Sequence, residues 1–379
     1  MSTTAALQDR WQAVMSDNYG TPPVAIVRGD GALVWDADGR QYLDMVAGIA
    51  VNALGHAHPA VRAAVTKQMS EYAHVSNLAV HPVGVELAER LVALAGRPGR
   101  VFFCNSGTEA NEAAFKVARL TGRHVVHAAD GGFHGRTMGA LSLTGQPAKR
   151  APFEPLVPGV EFFEYGSLPS PGPDSAAIIV EPVQGEAGVI PAHSGYLGEL
   201  AGLDPLLIVD EVQTGIGRTG NWFAFQHEQV APDMVTLAKG LGGGLPIGAL
   251  LSFGDAADLL QPGQHGCTFG GNPVSCAAAL AVLDEIETAG LLENVTDVGT
   301  RIRTNLAATP GIAQVRGAGL LLGVVLEQPV AKQVELHCRQ AGVLVNAIGE
   351  TVIRLAPPLI LTAEQADTAC AVLAEAVAR

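Results

Sequence analysis

Two residues stand out for their chemistry. The run Leu206-Leu207-Ile208-Val209 ends in Asp210, and the run Met234-Val235-Thr236-Leu237-Ala238 ends in Lys239, 29 residues further on. Short apolar runs bounded by turn residues read as buried strands, and ligands in α/β folds gather at the carboxyl ends of such strands. An acid and an amine facing one crevice suit a pyridine-ring aldehyde. The lysine takes the aldehyde as a Schiff base, and the acid holds the ring nitrogen protonated so that the ring draws electrons. Alone, each residue has a plainer reading. Asp210 reads equally as a solvated strand-end acid. A lysine before a glycine-rich loop, here Gly240-Leu241-Gly242-Gly243-Gly244, is commonly just exposed. A buried carboxylate, however, needs a partner or it loses its charge.

Further candidates lie between and beyond these two. Asn105-Ser106-Gly107-Thr108-Glu109-Ala110-Asn111 follows a strand-like run and opens a helical pattern. Small and hydroxyl residues there leave backbone N–H groups for a phosphate, aided by the helix dipole; the alternative is a plain Ser/Thr N-cap. Phe133-His134-Gly135-Arg136 lies in a glycine-rich loop, where Phe133 either stacks on a flat ring or fills the core. Arg136, and Arg354 at a strand end before Ala356-Pro357-Pro358, can fork onto a carboxylate or simply face solvent. Glu186 sits in the loop Glu181 to Gly188, where a solvated acid is the bland alternative. Other chemistries fail on spacing. His56-x-His58 lacks further ligands, so no metal site is expected. Gly215-Ile216-Gly217 lacks the third glycine of a dinucleotide fingerprint, and the glycines follow Lys239 rather than precede it, the reverse of a P-loop.

These residues need elements to position them. From about 100 to 265, apolar runs (Val101 to Cys104, Val125-Val126, Ile178 to Val180, Leu206 to Val209, Val235 to Leu237) alternate with helical patterns. The alternation predicts an α/β fold with a mainly parallel sheet and helices on both faces. The first 50 residues read as an arm plus short strands, with a hairpin around Asp38-Gly39. Helices are predicted at 59–72 and 83–95, and a long one from Val274 to Ile286. Beyond it, strands at Leu320 to Leu326 and Val352 to Leu355 precede a helix opened by the capping box Thr362-x-x-Gln365. Residues 56–270 are therefore expected to form a large domain, and 271–379 a smaller one that also takes up part of 1–55.

Composition narrows the classes. With 379 residues, 48% hydrophobic, the chain can bury a sizeable core. A net charge of −14 without Lys/Arg clusters argues against nucleic acid or an anionic membrane as partner. No apolar run approaches the ~18 residues of a membrane span. Met1-Ser2-Thr3-Thr4-Ala5 lacks the basic-then-apolar pattern of a signal peptide. Five cysteines, none closer than nine residues, fit neither a disulfide framework nor a Cys-x-x-Cys site, and imply reduced thiols in a cytoplasmic protein.

Taken together, the segments resemble the class III (ω-type) aminotransferases of the fold type I pyridoxal phosphate superfamily. The likeness rests on Asn105 to Ala110, Phe133 to Arg136, Glu181 to Glu186, Asp210-Glu211-Val212-Gln213-Thr214-Gly215, Ala238-Lys239-Gly240 and Thr268-Phe269-Gly270-Gly271-Asn272-Pro273, in order along nearly the whole chain. Ala47 to His56 is similar to the subgroup that takes the terminal amino group of N2-acetylornithine. Other ω-amines, or an aminomutase on the same fold, stand as alternatives. The resemblance implies that Lys239 carries pyridoxal phosphate and moves a proton, and that Asp210 pairs with the ring nitrogen. It implies that Phe133 and Val212 flank the ring, that Gln213 lies near its phenolic oxygen, and that Ser106, Gly107 and Thr108 hold the phosphate, with Glu211 among the cofactor residues. Thr268 would reach the cofactor phosphate of a partner subunit, making the enzyme a homodimer. Arg136 would bind a substrate carboxylate. Arg354 would bind that of glutamate or 2-oxoglutarate, with Glu186 pairing to Arg354 when the amino donor is present. One departure is Cys267, where the subgroup carries a Ser that contacts the donor; a thiol is the weaker hydrogen-bond donor.

Overall fold

The predicted runs meet in one seven-stranded sheet. A computed structural model describes residues 3–379; Met1 and Ser2, the head of the stretch read above for a signal peptide, lie outside them. The strand order is Gly99–Cys104, Gly248–Phe253, Met234–Leu237, Leu206–Asp210, Ser175–Val180, Val125–Ala129, Val160–Phe163. From Met234–Leu237 to Val160–Phe163 every pairing is parallel. Gly248–Phe253 runs antiparallel to both of its neighbours. No strand is predicted there, because the run follows directly on the glycine-rich loop; all six of its residues are nonetheless buried. Ser175–Val180 is likewise buried at every position, as a strand covered on both faces must be.

The register does the positioning. Asp210 is paired with Thr236 and Val209 with Val180. Glu181, Asp210 and Lys239 therefore leave the sheet at the same carboxyl edge.

Elsewhere the chain ends come together. Leu33–Asp36 and Gln41–Asp44 form the predicted hairpin, and Val343–Leu344 adds to it in parallel, so N- and C-terminal segments share a sheet. A second four-stranded sheet, Ile312–Ala318, Leu321–Leu326, Val352–Leu355 and Asn346–Ile348, is antiparallel and carries Arg354. Thr4–Val14, read above as an arm, is a helix capped by the Thr3 side chain. The capping box at Thr362 and Gln365 forms and opens Ala363–Val377. Pro273–Thr288 packs on Pro59–Glu71 and Pro82–Ala95. Leu87 and Leu91 of the latter are fully buried; truncating such a leucine to Ala costs about 2–5 kcal/mol. Among the described residues, no helix is long and apolar enough to cross a membrane. Nor do three or more His, Cys, Asp or Glu side chains among them gather where they could hold a metal ion.

Candidate active site

A cavity of about 430 Å³ opens at the carboxyl edge of the sheet, within the range of small-molecule sites. Its walls include Ser106, Gly107, Thr108, Phe133, Arg136, Asp210, Val212, Gln213 and Lys239, all picked from the sequence. Asn111, His134 and Glu181 also line it.

The buried end is organised around Asp210. Its Oδ2 accepts from Asn111 Nδ2 at 2.8 Å and lies 2.7 Å from His134 Nδ1, while Oδ1 accepts from the Val212 N–H at 3.0 Å. Asn111 also donates to the His134 carbonyl at 2.8 Å, tying the two supports together. Burial alone would depress His134, but the hydrogen bond and charge of Asp210, with help from Glu181, outweigh it and hold the imidazole above its usual value. Glu181 is pushed up to about 7 by burial, with the Asp210 charge adding and His134 opposing. It accepts from the backbone N–H groups of Phe133 and Gly185, so it braces the loop that carries Phe133. The sequence reading assigns no role to Asn111 or His134. One signal was available: Asn111 is a polar residue among the buried Ala110, Ala113 and Ala114 of the helix Gly107–Arg119.

Lys239 follows Met234–Leu237 with a φ of 43°, left-handed backbone that a non-glycine residue adopts only when its surroundings impose it. Burial, aided by the charge of Arg354, holds its ammonium below the ordinary lysine value, against the pull of Glu186, Asp210 and Glu181. A lysine so placed spends more of its time as the neutral, nucleophilic amine.

The start of Gly107–Arg119 forms another part of the wall. The N-cap reading of Ser106 is realised: its Oγ accepts from the Glu109 N–H at 3.3 Å, and Glu109 reaches back to the Asn105 N–H at 2.7 Å. The backbone N–H groups of Gly107 and Thr108 belong to the first turn, where a helix has donors to spare. Gly107 is required here, because a Cβ would lie 2.7 Å from Val212. Thr108 Oγ1 binds Thr137 Oγ1 at 2.8 Å and accepts from the Arg136 N–H at 3.2 Å, joining the helix start to the Phe133 loop.

At the edge of the cavity, Arg354 Nη1 donates to Glu186 at 2.6 Å and to Gln213 at 3.3 Å, and Nη2 donates to Asn346 at 2.7 Å. Burial would raise the Glu186 carboxyl, but the Arg354 charge prevails and holds it below the usual range. The Arg136 guanidinium lies 5.4 Å from the centre of the Phe133 ring and the Lys149 ammonium 4.8 Å from it. Five predicted residues do not line this cavity: Glu186 and Arg354, which adjoin it through Gln213, and Glu211, Cys267 and Thr268. Glu211, grouped with the cofactor residues by its place in the motif, turns the other way: it accepts from Thr214 Oγ1 at 2.5 Å and the Phe225 N–H at 2.9 Å, and burial lifts it to about 7. Cys267 lies behind the helix start, its Sγ accepting from Asn105 Nδ2 at 3.0 Å. Thr268 is exposed on the surface.

These features fit pyridoxal phosphate. A helix start suited to an anion, a carboxylate and a lysine share one cavity, with the aromatic Phe133 and the apolar Val212 in its walls. The missing Cβ of Gly107 leaves the helix start close against Val212.

Comparison with known proteins agrees. The family described as aminotransferase class-III matches residues 14–377. The acetylornithine aminotransferase of Streptomyces coelicolor is 57% identical over 366 residues, covering 94% of this chain and 91% of the relative. Among solved structures, the acetylornithine aminotransferase of Elizabethkingia anophelis superposes with a TM-score of 0.89 at 32% identity, covering 100% of both chains. The ornithine aminotransferase of Toxoplasma gondii, with PLP at partial occupancy in its active site, superposes with a TM-score of 0.94 at 32% identity, covering 100% of this chain and 95% of the other.

Proposed function

The chain belongs to the class III aminotransferases, pyridoxal phosphate enzymes, and on that premise we propose that it moves the terminal amino group of N2-acetylornithine to 2-oxoglutarate. The products are N-acetylglutamate 5-semialdehyde and glutamate, a step of arginine biosynthesis. The observation that carries the chemistry is the shared edge of Asp210 and Lys239 in a cavity whose walls include a helix start.

Pyridoxal phosphate, when bound, supplies an aldehyde for the amino group and a ring that accepts the electrons of a broken C–H bond. Lys239 is the residue that would hold the cofactor covalently. Its Nζ, whose charged form burial disfavours, would be the base that moves a proton between the donor carbon and the cofactor side. Asp210, fixed by Asn111, His134 and the Val212 N–H, presents its carboxylate to the ring nitrogen. Phe133 and Val212 would flank the ring, Gln213 would lie near its phenolic oxygen, and the first-turn N–H groups of Gly107 and Thr108 would receive the phosphate. Arg136 binds the donor's carboxylate. Arg354 is engaged by Glu186 while the donor is bound and released to the carboxylate of the acceptor, so that one pocket serves two substrates. The apolar Ile49 of the Ala47 to His56 segment supports an acylated donor over free ornithine, whose α-amino group needs a polar partner.

The same reading makes the protein a homodimer. Thr268 stands apart from its own chain's cavity, beside Phe269, which is 60% exposed and whose ring lies tilted against His74 with centroids 5.1 Å apart. Asn77 bonds to the carbonyls of Cys267 and Gly270, bringing the exposed Leu78 and Val80 into the same area. So much bare apolar surface calls for a covering partner, and Thr268 would then complete that partner's phosphate site. Free thiols, of which Cys104, Cys276, Cys338 and Cys370 are buried, are in keeping with a cytoplasmic setting.

The test is a donor panel. Purified protein with pyridoxal phosphate and 2-oxoglutarate should produce glutamate fastest from N2-acetylornithine. A clear preference for ornithine, 4-aminobutyrate or succinyl-diaminopimelate would reassign the donor. Turnover independent of 2-oxoglutarate would point to an aminomutase.

A further inference from the structure

Val51, in the cavity wall, ends a segment of unusual backbone. Ala47, Gly48, Ile49 and Ala50 have φ values of 48, 65, 65 and 62°, a left-handed turn in which three of the four residues carry a Cβ. Left-handed backbone presses each Cβ against the following carbonyl, and a β-branched Ile is the least suited to it. The turn is closed by its own hydrogen bonds, from the Ile49 and Ala50 N–H groups to the Val46 carbonyl and from those of Val51 and Asn52 to the Ala47 carbonyl. Such a conformation persists only where its surroundings over-determine it.

On the inner side, packing does this. Ala50 is buried with Val183, Val189, Leu321 and Ala356, and Gly240, next to Lys239, sits against the Ala50 carbonyl and Ala53. On the outer side it does not. Gly48 and Ile49 are exposed, and Val46 and Gly48 edge a second cavity of about 450 Å³. Room to unwind is therefore available.

What restrains the open side is Asp44. Its Oδ1 accepts from the N–H groups of both Val46 and Ala47 at 2.9 Å, and its Oδ2 meets His56 Nε2 at 2.8 Å. His56 is anchored in turn: its backbone exchanges two hydrogen bonds with Gly31. Gly29 leaves space for it, since a Cβ there would lie 2.4 Å from His56 Cβ. Fixed backbone at Gly31 is thus linked through His56 and Asp44 to the turn, and through the turn to Val51 in the cavity wall.

We infer that Asp44 and His56 are positioning residues for the amino donor: they latch the left-handed turn and so set the room that Val51 leaves in the cavity, an assignment that rests on reading the cavity as the transamination site. Neither touches the ring-binding end, so releasing the latch alters donor selection and leaves the bound cofactor as it was. Asp44→Ala removes both arms of the latch. Asp44→Asn keeps an acceptor for the two N–H groups and an amide to meet His56.

The experiment follows each half-reaction of the pyridoxal phosphate-loaded enzyme by the cofactor's absorbance, with N2-acetylornithine, ornithine and glutamate in turn. Asp44→Ala is expected to raise the half-saturating concentration of N2-acetylornithine by about tenfold, the size of a lost cap, and to narrow its preference over ornithine. The starting absorbance spectrum and the glutamate half-reaction should stay within about twofold of wild type, and Asp44→Asn should recover most of the preference. Should Asp44→Ala not fold, His56→Ala, which removes one arm only, reads the same split. Unchanged donor preference, or an equal loss in all half-reactions with a shifted cofactor spectrum, would overturn the latch and leave Asp44 a merely structural residue. A wild-type enzyme inert toward every amine would overturn the proposed function itself, and this inference with it.

Discussion

The Asp210 end of the cavity and the Arg354 cluster beside it are built on different principles. At the ring end, Asp210 has three donors, all from buried or half-buried groups, and two of those donors hold each other. At the substrate end, Arg354 is shared among Glu186, Gln213 and Asn346, and Glu186 is open enough to solvent to leave it. A buried carboxylate held by three donors favours one arrangement. A shared guanidinium with one half-buried partner can take a substrate carboxylate in its stead. The contrast says where the reaction is fixed and where the choice of substrate is made.

Substitutions can break or sharpen that contrast. Lys239→Ala should lower turnover by about 10⁴-fold or more, since it removes both the anchor and the base; steady-state glutamate production measures this, and normal turnover would erase the assignment. Asp210→Asn keeps the shape and removes the charge. It should cost about 10²–10³ in turnover and destabilise the fold by about 3–5 kcal/mol, because His134 loses its anion inside the protein; thermal melts read the second effect. Arg354→Ala should raise the half-saturating 2-oxoglutarate concentration by about 10- to 100-fold, the loss of one charged hydrogen-bond set. In the same variant, the cofactor spectrum should not change. An altered spectrum would mean that the two ends are not separable.

His134→Gln keeps a donor to Asp210 but removes the imidazole. The folded-state value of His134 is raised above 6.5, so the stability it contributes is complete below pH 6.5 and is lost as pH climbs through the folded value. Denaturant melts on either side of that window should therefore show the variant's deficit shrinking as pH rises. The smallest effect belongs to Cys267→Ser. With Cys267 bonded to Asn105 rather than lining its own chain's cavity, activity should change by no more than about twofold. A larger gain in donor affinity would show that Cys267 acts in the partner's site.

How much of this was legible beforehand depends on distance along the chain. Strand-helix alternation predicts the parallel sheet because each buried strand is a local apolar run. The pair Asp210 and Lys239 is visible because each ends such a run. Gly248–Phe253 is hidden by the glycine-rich loop before it, and the helix Thr4–Val14 by a sequence with little apolar periodicity. Asn111 and His134 meet Asp210 across 99 and 76 residues, a convergence no local pattern carries. Glu211 shares the motif of Asp210, but a strand end sends successive side chains to opposite sides, and it points to Phe225 instead. The left-handed turn is likewise silent in Ala47-Gly48-Ile49-Ala50, where only Gly48 favours that backbone.

The most direct test of the account is to reduce the pyridoxal phosphate-loaded protein with borohydride and map the modified lysine by peptide mass. Lys149 is the instructive competitor, since burial also lowers its ammonium and it lies against Phe133. A single pyridoxyl group on Lys239 is the predicted result. A label on Lys149, or none on Lys239, would contradict the account.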